Sequence, residues 1–175
     1  MKKMLLTGLV LALCLLTACG RTSGDGLTAL CGQAGLDLSA ARTLWDKDTH
    51  GGFHGDGTRL TALAFPEGPG EGSLTAAGWK PLPLDETTEA VVYGVIAAEA
   101  GEDGPAEVTT GPFIPLEAGM GSIPRIEHGY YFFRDRYPDD GPERDAALPD
   151  RGAFNFTVAL YDSDAHILYY CETDT

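Results

Sequence analysis

Hydrophobic and polar positions alternate most regularly near the end of the chain. Phe154 to Tyr161 and Ile167 to Cys171 read as two strands joined by Asp162-Ser163-Asp164-Ala165-His166, a hairpin. A second hairpin is expected upstream. In Thr58 to Phe65, Leu60, Ala62 and Ala64 alternate with Arg59, Thr61 and Leu63, and Ala41 to Trp45 precedes this run across a long glycine-rich connection. Tyr130-Tyr131-Phe132-Phe133-Arg134-Asp135-Arg136 has the aromatic content of a strand. Cys31 to Leu38 opens the folded part, with Leu36 and Leu38 flanking Asp37. Helical signals lie in the middle. Ser73 to Gly78 suits a short helix, and Asp85 suits an N-cap, with Glu86 favourable in the first turn. Val91, Val92, Val95 and Ile96 fit one helix face up to Ala100, although Gly94 interrupts it and the β-branched content leaves a strand as the alternative. Pro66 to Gly72 is a cluster of breakers and reads as a surface turn, while Gly101 to Gly121 and Tyr137 to Gly152 read as exposed connections. The pattern predicts an α+β fold: a mostly antiparallel sheet of about five strands, with one or two helices packed on one face.

The first residues change the picture of where such a domain resides. Met1-Lys2-Lys3 precedes the apolar run Met4 to Leu16, a basic start and short apolar core of the secretory type. The run is shorter than the roughly 20 apolar residues that a bilayer span requires. Leu16-Thr17-Ala18-Cys19 resembles the lipobox of bacterial lipoproteins. That resemblance implies cleavage before Cys19, acylation of Cys19 and attachment to the membrane by lipid, outside the cytoplasm. The expected organisation is a signal peptide at 1–18, a lipidated tether at 19–30 and one globular domain at 31–175.

The chain carries 12 Lys+Arg against 26 Asp+Glu, a net charge of −14, and loss of Lys2 and Lys3 with the leader deepens it to −16. Such acidity repels phosphate backbones and excludes nucleic acid as a partner. It also repels an anionic membrane surface, which leaves the lipid as the attachment. Of four cysteines, Cys14 leaves with the leader and Cys19 takes the lipid. In an exported protein the remaining two, Cys31 and Cys171, are expected to pair. The bridge would close a loop worth about 4–5 kcal/mol in the ideal case. Two free thiols are the alternative.

Candidate chemistry concentrates in Asp48-Thr49-His50-Gly51-Gly52-Phe53-His54-Gly55-Asp56-Gly57, where imidazoles and carboxylates crowd together. Asp48, His50, His54 and Asp56 supply nitrogen and oxygen donors suited to a divalent metal such as Zn²⁺. The glycines argue against a helix that would align His50 with His54. Asp46 and Asp48 begin a calcium-type loop, but Gly57 stands where the bidentate Glu belongs. A turn in which aspartates cap backbone amides explains the same residues without a ligand. A histidine beside an aspartate is also a possible acid–base pair, yet no G-x-S-x-G or other nucleophile motif accompanies it. The 162–166 turn, the aromatic strand and Trp79 read first as turn chemistry and core.

The glycine loop recurs beside Trp79-Lys80-Pro81-Leu82-Pro83-Leu84, Gly129-Tyr130-Tyr131-Phe132-Phe133-Arg134-Asp135-Arg136, Asn155 to Asp162 and Leu168-Tyr169-Tyr170-Cys171-Glu172-Thr173-Asp174-Thr175. Together these segments are similar to a group of uncharacterised small exported proteins from Firmicutes-type bacteria. The resemblance covers most of the chain from Leu36 onward and implies a single domain with the 48–57 loop as its signature, but no activity. The expected function is therefore a lipid-anchored, non-catalytic binding or accessory module, with another envelope protein as a possible partner. A metal-binding protein or metal-dependent enzyme using the 48–57 loop is the alternative.

Overall fold

A computed structural model of the chain describes residues 24–51, 55–70, 72–101, 104–114 and 121–175. The expected signal peptide at 1–18 and the expected lipidation at Cys19 lie outside the described residues. The first described element is a helix, α1 (Gly24–Ala34), where a tether and then an extended start are expected. The reason is visible in the residues. Leu27, Leu30, Cys31 and Ala34 recur at i, i+3, i+4 and i+7, and all four are buried. The helix stops at Gly35, which takes φ 71°, while the Leu36 amide reaches back to the Cys31 carbonyl at 2.9 Å. Residues 24–30, expected to be tether, are instead part of the folded domain, because Leu27 and Leu30 belong to the core.

A 3-10 turn (Leu38–Ala40) leads into β1 (Arg42–Asp48), which pairs antiparallel with β2 (Gly57–Ala64). The short α2 (Ser73–Ala76), β3 (Lys80–Pro81) and α3 (Glu86–Tyr93) follow. Asp85 caps α3 as expected, accepting from the Thr88 amide at 2.9 Å and the Thr88 hydroxyl at 2.7 Å. The helix ends at Gly94, and β4 (Val95–Gly101) begins at once, so the helix and strand readings of 86–100 are each correct for half of it. β4 pairs with β5 (Gly104–Thr110) as a separate two-stranded ribbon, inside a stretch expected to be irregular. β6 (Gly129–Asp135), β7 (Phe156–Asp162) and β8 (Ile167–Asp174) complete the main sheet, whose order is β1-β2-β8-β7-β6-β3.

The α+β class with an antiparallel sheet is shown; the main sheet has six strands rather than five. Its helices cover both faces, not one. Alternate residues of β2, β7 and β8 enter two separate cores. Leu63, Ala159, Tyr161, Leu168 and Tyr170 pack with α1, Leu74 of α2 and Trp79. Leu60, Ala62, Val158, Leu160, Tyr169 and Cys171 pack with Val91 and Val92 of α3 and with Ile114, Ile123 and Leu148. The aromatic strand divides likewise: Tyr130 and Phe132 face the first core, Tyr131 and Phe133 the second.

This layering corrects the cysteine pairing. Cys31 and Cys171 are both buried and both free, and they sit in different cores on opposite sides of the sheet. A bridge needs Cα atoms within about 7 Å of each other and Cβ vectors that converge, whereas the Cys171 side chain leaves β8 on the face opposite the core that holds Cys31. Burial pushes the Cys31 thiol up to about 11 and the Cys171 thiol up to about 12, so neither forms thiolate at neutral pH. Non-reducing digestion should therefore yield the Cys31 and Cys171 peptides unlinked, and both thiols should resist maleimide until denaturant is added.

Asp85 supplies a second expectation. Burial alone would raise its pKa, but the Thr88 hydroxyl and amide, Lys80 and Tyr131 together hold it at about 2. A depressed carboxyl stabilises the fold above the unfolded value near 4 and loses that contribution as pH falls towards 2. Asp85→Ala should cost about 1 kcal/mol at pH 7 in urea unfolding, and the gap to the parent chain should close in acid.

Candidate functional site

The β1–β2 hairpin closes at Thr49 and Thr58, whose side-chain and backbone groups exchange three hydrogen bonds of 2.9–3.1 Å. Beyond this closure Asp48 folds the chain back. Its Oδ1 accepts from the His50 amide at 2.9 Å and lies 2.7 Å from His50 Nδ1. Gly57 makes the fold-back possible, since a Cβ there would lie 2.5 Å from the His50 amide nitrogen. The result presses His50 against the end of β8. Its side chain is only 12% exposed, and Nε2 stands 3.4 Å from Asp174 Oδ2.

Asp174 continues the arrangement. Arg136, just past β6, pairs with Asp174 at 2.8 Å and with Glu172 at 3.4 Å, and donates to the Phe156 and Thr173 carbonyls at 3.2 Å. Tyr170 donates its hydroxyl to Glu172 Oε2 at 2.7 Å. Asp48, Arg59, Glu172 and Thr157 occupy one cross-strand row, with Asp46, Thr61 and Tyr170 in the row that leads towards α1. Arg59 grips Asp46 with two nitrogens, at 3.2 and 3.1 Å, and the Thr61 hydroxyl donates to the same carboxylate. Burial would raise the Asp46 pKa, but Arg59 and Thr61 reverse the effect and hold it below the usual carboxylate range. Tyr170 is driven well above the usual phenol range, first by burial and then by Glu172, so it stays a donor.

Of the residues singled out in the sequence, Asp48 and His50 are therefore in contact. Asp56 forms no hydrogen bond or ion pair with them among the described residues, and His54 lies outside those residues. No group of three His, Cys, Asp or Glu side chains within the described residues is placed to hold a metal ion. Arg136, Glu172, Asp174 and Tyr170 were missed. Their alternation with Tyr169, Cys171 and Thr173 is legible in β8, but their meeting with His50 depends on pairing β2 with β8 over more than 100 residues. The 162–166 segment is turn chemistry, as expected: Asp162 Oδ1 accepts from the amides of Asp164 and Ala165 at 2.9 Å. Trp79 is buried against Phe132, with ring centroids 5.9 Å apart.

Beside this network, a cavity of about 140 Å³ opens between α1 and the sheet, with Gly26, Gln33, Phe132, Arg134, Arg136 and Tyr170 among its walls. Arg134 is exposed there and forms no ion pair among the described residues. The comparisons with known proteins return nothing to set beside this geometry: no family model, no curated protein and no solved structure matches the chain.

The network's chemistry is mainly that of charge pairing. Asp46, Asp48, Glu172 and Asp174 each face a cation, an imidazole or a hydroxyl. Arg136→Met leaves Glu172 and Asp174 without their counter-charge and should lower stability by about 2 kcal/mol in urea unfolding. Asp56→Asn should stay within about 0.5 kcal/mol of the parent chain. Equal losses from the two variants would show that Arg136 is not the tie that holds the hairpin to β8.

Proposed function

We propose that this protein is lipid-anchored on the outer side of a bacterial membrane and acts there as a non-catalytic binding or accessory module. The lipobox-like Leu16-Thr17-Ala18-Cys19 supports the anchor. The observation that carries the non-catalytic reading is the charge pairing around Arg136, in which Glu172 and Asp174 share one guanidinium while Asp48 holds the His50 ring. Because α1 begins at Gly24, only four residues lie between it and Cys19, a reach of roughly 17 Å when fully extended. The domain would stay close to the lipid headgroups, and its negative charge would turn it away from an anionic surface. An envelope protein remains the proposed partner class where no small ligand is taken up.

One observation favours the metal reading. His50 Nε2 is buried and has no hydrogen-bond partner among the described residues, and a carboxylate stands 3.4 Å away. His54 and Asp56 would have to complete such a site with Asp48 and His50. Thermal unfolding of the full-length chain with Zn²⁺, with Ca²⁺ and with EDTA separates the two readings. The binding-module reading expects midpoints within about 1 °C of one another, whereas a metal-specific rise that disappears in His50→Ala/His54→Ala would establish the metal site. In cells, Cys19→Ala should move the protein from the membrane fraction to the soluble one and abolish labelling by a fatty-acid probe.

A further inference from the structure

A second cavity, of about 170 Å³, lies on the other side of α2, between the loop that follows β2 and the β7–β8 turn. Gly68, Gly70, Tyr130, Tyr161, Ser163 and His166 are among its walls. Tyr161 is 2% exposed, and its hydroxyl is buried with no hydrogen-bond partner among the described residues. A buried hydroxyl left unpaired costs about 1–3 kcal/mol, so its position in a cavity wall calls for an occupant that pairs with it. Burial, aided by Asp162, pushes Tyr161 up to about 12, and it remains a neutral phenol able to donate and accept.

Gly68 lies against this hydroxyl. Its backbone is not in the left-handed region, so conformation alone does not require glycine there. A Cβ at Gly68, however, would lie 3.0 Å from the Tyr161 hydroxyl and 3.5 Å from His166 Nε2. Two polar atoms therefore converge on the space that the missing side chain leaves open. His166 holds φ 53°, an uncommon conformation for a non-glycine residue, and its carbonyl accepts from the Phe65 amide at 2.9 Å. That bond fastens the turn to the start of the glycine loop, so the two walls are held in register without a ligand.

The chemistry of the walls defines the occupant. Among the described residues no Lys, Arg, Asp or Glu lines the cavity, which favours an uncharged ligand. Tyr161, Ser163 and Thr75 offer hydroxyls that both donate and accept, which matches ligand groups of the same kind. The rings of Tyr130 and Tyr161 add apolar wall. The volume is well below the roughly 300 Å³ at which drug-sized sites begin, and it suits a single ring. We propose that the cavity between Gly68, Tyr161 and His166 binds one neutral sugar residue, free or at the end of a glycan. This deepens the binding-module reading by giving it a site and a ligand class.

The test is an amide-resolved NMR titration of the full-length chain in a detergent without a sugar headgroup. The probes are glucose, galactose, mannose, N-acetylglucosamine and their methyl glycosides, with glucuronate and glucose 6-phosphate as charged controls. At least one neutral sugar should shift the Gly68, Tyr161 and His166 amides saturably, and the charged controls should bind at least tenfold more weakly. A preference for the methyl glycoside over the free sugar would assign the site to glycan ends. Tyr161→Phe removes only an unpaired hydroxyl and should keep the parent spectrum while weakening binding at least tenfold; Gly68→Ala should weaken it by occupying the space. No saturable shift with any neutral sugar, equal binding of the charged controls, or unchanged affinity in both variants would overturn the assignment. If a sugar binds and its own signals show turnover, the site stands and the non-catalytic reading fails. If none binds, the site fails and the anchoring and the charged network are untouched.

Discussion

The structure depends on a pair of central strands that cannot face water on either side. Every residue of β7 from Phe156 to Tyr161 is buried, as are Leu168 to Cys171 of β8. Removing a large apolar side chain from water is worth about 1.5–3 kcal/mol, and these two strands carry such side chains on both surfaces. Each surface therefore needs its own cover. α1 and α2 provide one, and α3 with the segments around Ile114, Ile123 and Leu148 provides the other. Polar side chains gather where the first cover ends. There Thr61, Arg59, Glu172 and Asp174 replace the Leu63, Tyr170 and Leu168 positions of the same strands.

Much of this architecture was legible from local patterning. The β7–β8 hairpin, β2, the aromatic β6 and the Asp85 cap all follow from alternation or from a single capping residue. α1 was obscured by its composition: four glycines and a threonine within Gly24–Gly35 speak against a helix, while Leu27, Leu30, Cys31 and Ala34 speak for one. Tertiary burial decides in favour of the helix. The β4–β5 ribbon was obscured for a related reason, since its residues are small and neither strand shows a period. At the candidate site, the turn formed by Asp48 and His50 could be read locally. The partners on β8 could not, because which strand lies beside β2 is settled by packing across the whole chain.

Cations are scarce in this chain, and the described ones serve mainly as fasteners. Arg136 ties the ends of β6, β7 and β8 to the hairpin that carries His50. Arg151, 8% exposed, and Arg144 converge on Asp135 and hold the long connection from Tyr137 to Gly152 against the end of β6. Burial works against the Asp135 charge, but the Tyr137 amide and Arg151 hold its carboxyl below the usual range. Arg125 meets Glu89 and lies over the Tyr93 ring. Partly enclosed pairs of this kind are less screened by salt than the surplus surface carboxylates, whose mutual repulsion opposes the fold at low ionic strength.

The rims of the main sheet have a consequence for how such a protein behaves when many copies are crowded on one surface. One rim is β1, where a bulge between Thr43 and Trp45 breaks the ladder and Arg42, Lys47 and Asp48 place charge along the edge. The other is β3, only two residues long, one of them Pro81, which has no amide hydrogen to offer. An unpaired strand is ordinarily a template on which another chain can add itself. Neither β1 nor β3 offers a long, flat and uncharged ladder, so neither strand gives copies held side by side a ready route to joining their sheets.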